Sequence, residues 1–328
     1  MRIETSRVFK TREVSFRNPQ GLIRKKCYNS GMIHRFNPTS YHNAIGSYEP
    51  VLRIGDGDTV MTKTIDALGG DANDQKVWQR GNPMTGPFYI EGAQPGDALA
   101  VRLDKIAPNR RVGYTADVVA ANVVDPHYVR ELPKSKMVKW DVDAKAKTAT
   151  ITEKEYTLTV PLVPMIGCFG VAPDRGQAIS TATSGPYGGN MDYNGWIAGV
   201  TAYFPVAAEG ALFHIGDVHA VQGDGEIVGT GIEISADVQF TVRVLKKKAM
   251  EWPRGENRDF IWTVGNARPL DQCIQHATTE MMRWLQSDYK MSARHASTLL
   301  GQCVKYDMGN IFDPAFTMVC RLAKKWLG

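Results

Sequence analysis

Short runs of strand-forming residues, each closed by Gly, Pro or Asp, fill the chain from about residue 50 to 245 and constrain its fold more than any other feature. Typical runs read VLRIGDGDTVMTKTI, KTATITEKEYTLTVPLVPMI and EIVGTGIEISADVQFTVRVL. No stretch with the 3.6-residue helical period interrupts them, and this arrangement is typical of a sandwich or a closed barrel. The sequence therefore predicts a mainly β protein with sandwich or barrel elements.

Helical periodicity occurs near the C-terminus alone. Residues 270–286 carry apolar side chains at helical spacing, and Ser292 is placed to cap a second helix over about residues 293–304. The sequence thus predicts three parts: a basic N-terminal arm (1–30), a β-rich catalytic body of sandwich and barrel-like parts (31–265) and a C-terminal helical segment packed on that body (266–328).

Charge and cysteine content limit the function class. Of the net charge of +5, residues 1–26 contribute +6 and the last eight residues +3, which leaves −4 for the rest. A solvated or oligomer-packing arm explains this pattern better than a nucleic-acid surface does. Five scattered cysteines without a CxxC pair favour a reducing compartment. With no apolar run near the roughly 18 residues of a membrane span and no hydrophobic leader, we expect a cytoplasmic protein without membrane or nucleic-acid partners.

A Gly-Asp turn followed by a strand occurs three times, and its third copy is chemically distinct. In HIGDVHAVQGDGE, Asp217 and His219 are two apart in a strand and so share a face. The following turn adds Gln222, Asp224 and Glu226. Nitrogen and oxygen donors without thiolate suit Zn²⁺, Mn²⁺ or Fe²⁺, and an all-oxygen subset suits Ca²⁺. A turn aspartate beside a half-buried histidine explains the same residues, and both interpretations stay open.

The loop SGPYGGNMD is rich in glycine but lacks the Lys-Ser/Thr of a phosphate loop. Its backbone N–H groups, together with Asn190, are placed to face a small substrate or an oxyanion. We therefore take Asn190 and Asp192 as candidate catalytic residues, and Gly188 and Gly189, with Gln222, as candidate substrate-binding residues. An ordinary turn is the alternative.

Acids at strand ends are further candidates. Glu91 ends the strand PFYI beside the small residues Gly92 and Ala93, which leaves room at its carboxylate, and Asp66 closes the strand before Gly69-Gly70. Exposed or turn-forming acids are the alternatives. Glu233 lies on the polar face of an alternating segment, so we expect it to be solvent-exposed.

Several long motifs together resemble the acetamidase/formamidase family. They read LRIGDGDTVMTKTIDA, GNPMTGPFYIEGAQPGDAL, PMIGCFGVAP, SGPYGGNMDYN and ALFHIGDVHAVQGDGEIVGTGIE, in the family's order, and the resemblance spans roughly residues 31 to 320. Cys168 stands where another small or apolar residue is expected.

The resemblance implies a β-rich, homo-oligomeric amidohydrolase that converts short linear amides to carboxylate and ammonia. It also implies a divalent metal, Zn²⁺ more than Ca²⁺, and no organic cofactor. It brings six residues to the site: Asp66, Glu91, Asp217, His219, Asp224 and Glu226. From the chemistry of amide hydrolysis we expect Glu91 to carry the proton and the other five to ligate the metal. The same chemistry on a larger amide and a non-catalytic protein that binds a metal or small ligand are the alternatives.

Overall fold

Strands are the main regular element of the computed structural model, which describes residues 31–328 and, as strand backbone alone, residues 4–6, 12–17 and 23–28. The first twelve strands are β1 (Glu4–Ser6), β2 (Arg12–Arg17), β3 (Ile23–Tyr28), β4 (Ile33–Arg35), β5 (Ala44–Gly46), β6 (Leu52–Ile54), β7 (Thr59–Thr64), β8 (Met84–Ile90), β9 (Ala98–Pro108), β10 (Val112–Ala116), β11 (Met137–Asp143) and β12 (Thr148–Thr152). The others are β13 (Thr157–Pro161), β14 (Met165–Gly170), β15 (Ala178–Ser180), β16 (Ser184–Gly185), β17 (Gly188–Asn190), β18 (Thr201–Pro205), β19 (Phe213–His219), β20 (Ala236–Leu245), β21 (Arg254–Glu256), β22 (Phe260–Ala267), β23 (Lys305–Asn310) and β24 (Phe316–Ala323). The α-helices are α1 (Leu270–Ser287) and α2 (Ala293–Cys303).

Three sheets hold twenty of these strands, and the pairs β5-β15 and β2-β3 form two further two-stranded sheets. The largest has the order β1-β4-β7-β20-β9-β18-β21-β22-β24-β23, the second β16-β17-β14-β19-β8-β6 and the third β10-β11-β12-β13. In the predicted N-terminal arm, β1 pairs with β4 of the body, and β2 pairs with β3. The remaining residues of the arm lie outside the described part of the chain.

The main core lies between the two larger sheets. Phe88 and Phe213 of the six-stranded sheet meet Phe240 of the ten-stranded sheet at ring-centroid distances of 5.3 and 5.1 Å. All three rings are fully buried, and such interdigitation is how two sheets form a sandwich. Strand β19 lies between β14 and β8, and every one of its residues is buried. The residues at the end of β19 are therefore held on a rigid strand.

The predicted mainly β fold with a small C-terminal helical segment is confirmed. Helix α1 buries Ala277, Met281 and Leu285 against the sheet, and Gly265 permits this because a Cβ there would lie 2.1 Å from a helix carbonyl. Ser292 caps α2 as predicted, accepting a hydrogen bond from the backbone N–H of His295 at 3.1 Å. After the helices the chain returns to the ten-stranded sheet through β23 and β24. No helix of the described residues is long and apolar enough to cross a membrane.

Candidate active site

Asp217 and His219 converge at the end of β19, as their spacing predicts. Asp217 Oδ1 lies 3.5 Å from His219 Nε2, and the two side chains are 2% and 1% exposed. Glu233 reaches the same nitrogen from the segment before β20, with Oε1 at 3.1 Å. The three side chains form one acid–histidine group whose candidate ligand atoms all lie within 4.8 Å of one another.

A second group shares His219 and adds Asp192 and Glu226. Asp192 follows β17, and Glu226 lies in a short 3₁₀ turn after β19. Asn310, the last residue of β23, joins their carboxylates: its Nδ2 lies 2.8 Å from Asp192 Oδ2 and 3.0 Å from Glu226 Oε2. The C-terminal strand thus completes a site begun by β17 and β19. We call the five buried carboxylates of this site the acid cluster: Asp192, Asp217, Glu226, Glu233 and Asp313.

Side-chain amides, rather than basic residues, hold the acid cluster in place. Asn82 donates from Nδ2 to Asp217 Oδ2 at 3.1 Å, and Asp313 Oδ2 accepts from Asn190 at 2.6 Å and from Asn310 at 2.5 Å. Within residues 31–328, no Lys or Arg forms an ion pair with a member of the cluster. An amide fixes a carboxylate but brings no positive charge, so these contacts leave the cluster without a counter-cation.

Three members of the acid cluster have strained backbones. Asp192, Asp217 and Glu226 have φ values of +41°, +54° and +48°, in the left-handed region that side chains other than glycine rarely adopt. Each such residue costs of order 1 kcal/mol or more, and strain of this kind clusters at active sites and ligand clamps. Three strained acids in one cluster therefore support a functional role.

Burial and mutual repulsion change the protonation of these groups. Burial raises the pKa of Asp192 well above its ordinary value, and neighbouring Asp313 and Asp217 add to the effect. Burial likewise raises the pKa of Glu226 well above its usual range and that of Glu233 to about 7. For His219, burial alone would lower the pKa, but the carboxylates of Glu233 and Asp217 raise it well above 6.5. Each of these pKa shifts favours a proton on the group, as expected where buried carboxylates have no positive charge beside them.

Unpartnered atoms in the cluster fit a bound cation. Asp192 Oδ1, Asp217 Oδ1 and Glu233 Oε2 are buried and have no hydrogen-bond partner, although leaving such an atom unsatisfied is costly. Gly167 lies against two of these carboxylates, because a Cβ there would be 2.4 Å from Asp192 Oδ1 and 3.0 Å from Asp217 Oδ2. One imidazole among carboxylates is a donor set suited to a divalent cation such as Zn²⁺.

Three of the predicted site acids are not members of the acid cluster. Asp66 is buried, but its Oδ2 pairs with the Arg110 guanidinium and its Oδ1 accepts from backbone N–H groups at 2.7 and 2.9 Å. Asp224 is exposed and accepts from Asn194 Nδ2 at 2.7 Å. The Glu91 side chain is 55% exposed and faces Arg53. It follows the far end of β8, whose first residue pairs beside Asp217, so it lies about 20 Å away along the strand.

The other predicted residues divide between the cluster and its support. Asp192 is a member of the cluster, and Asn190 contacts it by donating to Asp313 Oδ2. Gln222 contacts the His219 ring, with Oε1 2.8 Å from Nδ1. Gly188 and Gly189 form β17 and are buried with φ values of +95° and +92°, and Cβ atoms there would meet backbone oxygens at 2.5 Å. Their lack of side chains lets β17 pack closely against its neighbours, which carries Asn190 to the cluster.

Sequence reasoning missed four members of the site. The prediction that Glu233 is solvent-exposed is wrong: it is 2% exposed, because regular pairing in β20 begins only at Ala236 and Glu233 bridges His219 and Tyr114 instead. Asn82, Asn310 and Asp313 were not singled out. A usable signal for the last two is the sequence NIFD, in which the Asn310 side chain accepts from the backbone N–H of Asp313 and closes a polar turn.

A long segment without buried residues lies beside the site. Residues 117–136 join the paired strands β10 and β11 and include no buried residue. The segment contacts the neighbours of two site residues: the backbone N–H of Ala120 donates to Ile227 O at 2.7 Å, and Asn122 Nδ2 donates to Ile311 O at 2.6 Å. A cavity of about 670 Å³ lies between this segment and Ile311. The acid cluster itself is enclosed, since none of its members is more than 9% exposed.

Comparisons with known proteins agree with the motifs. The model of the acetamidase/formamidase family matches residues 37–178 and 175–275. The crystal structure of an acetamidase from Yersinia enterocolitica has a TM-score of 0.79 and 31% identity, covering 90% of this chain and 93% of that one. An acetamidase from Bacillus halodurans has a TM-score of 0.77 and 28% identity, covering 89% and 98%. The acetamidase of Mycolicibacterium smegmatis is 27% identical over 57% of this chain and 59% of its own length. The chain thus spans about three fifths of the length of the first curated relatives that it matches.

Proposed function

The chain belongs to the acetamidase/formamidase family, and we propose that it hydrolyses a short-chain aliphatic amide of the formamide or acetamide class to a carboxylate and ammonia. The observation that carries this proposal is the acid cluster around His219, which lies within the matched region except for Asp313. Relatives named acetamidase and formamidase support the reaction type. The enclosure of the cluster supports a small substrate over an aryl amide.

The proposal includes a divalent cation, Zn²⁺ rather than Ca²⁺, held by His219 with carboxylates of the two acid–histidine groups. Its support is the set of unpartnered oxygens on Asp192, Asp217 and Glu233, and an imidazole ligand favours zinc over calcium. When bound, such a cation supplies Lewis acidity, which polarises an amide carbonyl and activates water. The remaining tasks of amide hydrolysis belong to the side chains.

Asp313 is the best-placed carboxyl group for the proton transfer that sequence reasoning gives to Glu91. It belongs to the acid cluster but to neither acid–histidine group, so it stays available when those groups bind a cation. Asn190 and Asn310 both donate to its Oδ2, which fixes the carboxyl group and directs Oδ1 as the proton-carrying atom. A carboxyl group held this way takes a proton from water and returns it to the departing nitrogen.

Asn190 has the second task, stabilisation of negative charge on the amide oxygen. Its Nδ2 carries two N–H donors, and among the described residues it donates to Asp313 Oδ2 alone. One N–H is therefore available for a developing oxyanion. The Asn190 Oδ1 atom accepts from Asn82 at 2.9 Å, which fixes the orientation of the amide group.

Replacement of His219 tests this proposal. Purified wild type and His219→Gln are compared for ammonia release from formamide, acetamide and propionamide, and for bound metal. We expect the variant to lose both metal and turnover, whereas the control His295→Gln, at an exposed position on α2, keeps both. Full turnover and metal content in His219→Gln would refute the proposed site. Ammonia release from aryl amides alone would replace the substrate class, and metal binding without any release would favour a non-catalytic protein.

A further inference from the structure

We propose that Gln222 is a positioning residue that holds a proton on Nδ1 of His219, so that Nε2 is the nitrogen that faces the acid cluster and its cation. The inference rests on the proposed function, because it concerns the same cation site. It differs from the sequence prediction, which gives Gln222 a direct role in binding substrate. The argument depends on counting donors and acceptors around two side chains.

The orientation of the Gln222 amide is determined by its neighbours. Its Nε2 lies 2.5 Å from the carbonyl oxygen of Asp192 and 3.3 Å from that of Gly309. Backbone carbonyls accept hydrogen bonds and cannot donate them, so the NH₂ group must face these two atoms. The opposite orientation would place an amide oxygen against two carbonyl oxygens in a buried site. Gln222 Oε1 therefore faces the imidazole.

The orientation of the amide determines the tautomer of the ring. Oε1 lies 2.8 Å from His219 Nδ1 and offers only lone pairs, so Nδ1 must carry the proton. In a neutral imidazole the other nitrogen, Nε2, then holds a lone pair. Without a cation, the neighbouring carboxylates favour a proton on Nε2, and a bound cation would take the place of that proton. Gly231 leaves room for the ring in this position, since a Cβ there would lie 2.4 Å from His219 Nδ1.

The neighbours of Nε2 determine what this nitrogen can bind. They are Glu233 Oε1 at 3.1 Å and Asp217 Oδ1 at 3.5 Å, which are acceptors. A lone pair that faces two carboxylate oxygens is favourable only when a positive charge lies between them. Nε2 and the two oxygens together are three donor atoms of the kind that bind a divalent cation. Gln222 supplies the partner of the non-ligating nitrogen without adding a sixth carboxyl group to the site.

Two substitutions separate this role from a purely structural one. Gln222→Met and Gln222→Glu both remove the N–H donors that join Gln222 to Asp192 and Gly309. Only Gln222→Glu keeps an acceptor for Nδ1–H. If Gln222 only joined the backbones of Asp192 and Gly309, the two variants would have equal defects. If Gln222 positions the His219 ring, Gln222→Glu keeps the tautomer and Gln222→Met loses it.

The test measures Zn²⁺ affinity by competition with a chromophoric chelator, and the histidine tautomer by ¹⁵N NMR of the Zn²⁺-loaded proteins. We expect Gln222→Met to bind Zn²⁺ 10- to 100-fold more weakly and to lose the Nδ1–H signal of His219, which Gln222→Glu retains. Gln177→Met, at an exposed position, should match the wild type. Unchanged Zn²⁺ affinity and an unchanged signal in Gln222→Met would overturn the positioning role alone. A wild type that binds no divalent cation and releases no ammonia would overturn the proposed function itself.

Discussion

Gly167→Ala is a minimal perturbation of the acid cluster, because it adds one methyl group and changes no charge. The new Cβ would lie 2.4 Å from Asp192 Oδ1, whereas ordinary contact begins at 3.4 Å. The Asp192 carboxylate therefore has to move by about 1 Å, which is several times the roughly 0.2 Å tolerance of a metal–ligand distance. Asp217 is also affected, since its backbone oxygen and its Oδ2 would both lie 3.0 Å from the new atom.

We expect a large loss of activity and a small loss of stability from this change. A displacement of about 1 Å at a reacting centre costs on the order of 100-fold in kcat/KM, or about 2.7 kcal/mol of transition-state stabilisation. The atom that must yield most is the free end of a side chain, so the unfolding free energy should fall by only about 1 kcal/mol.

The assay for Gly167→Ala combines ammonia release with a denaturant melt. The matched control is Gly301→Ala on α2, where an added Cβ meets no atom within 4 Å. The control should gain about 0.5–1 kcal/mol in stability and keep its activity. A Gly167→Ala protein with wild-type kcat/KM and wild-type Zn²⁺ affinity would refute the assignment of Asp192 and Asp217 to the site.

Three further predictions concern groups outside the cluster. The buried Arg254 guanidinium donates to Glu280 Oε1 at 2.7 Å, and Glu280→Ala leaves it without a carboxylate partner. Urea melts should therefore show a loss of about 3 kcal/mol in unfolding free energy, with unchanged turnover per folded molecule. Burial, with a contribution from His42, lowers the pKa of His214 to about 3. Because the unfolded chain binds this proton near pH 6.5, stability should be complete above that pH and fall as the pH drops toward 3, by about 2 kcal/mol at pH 5. His214→Gln should lose this part of the acid sensitivity in melts from pH 7 to 5, and an equal slope would contradict it. Glu91→Gln should leave ammonia release within about 2-fold of wild type, since Glu91 is exposed and faces Arg53; a 100-fold loss would restore its role as proton carrier.

The features that the sequence could predict are those encoded by local period or by short spacing. Helices α1 and α2 follow from apolar side chains at helical spacing, and the Ser292 cap follows from a hydroxyl before the first turn. Asp217 and His219 share a site because two residues in one strand share a face. In each case the relevant atoms are within a few residues of one another, so the chain's own geometry determines their relation.

The features that the sequence could not predict depend on distant contacts. Asp66 resembles a ligand in sequence, but it is neutralised by Arg110, 44 positions away. Asn310 reaches Asp192 across 118 positions, because β23 returns to the sheet after two helices. Glu233 was placed on a solvent face by extending the period of β20 beyond its first residue. No local pattern encodes these pairings, which require the assembled sheets.

The central claim is a cation-dependent amide hydrolysis at His219 and the acid cluster, and chelation followed by metal restoration tests it most directly. Ammonia release from formamide, acetamide and propionamide is measured before chelation, after chelation and after addition of Zn²⁺ or Ca²⁺. The account predicts that chelation abolishes release, that Zn²⁺ restores it and Ca²⁺ does not, and that the two smaller amides are the best substrates. Full release from protein shown by elemental analysis to hold no metal would contradict the account.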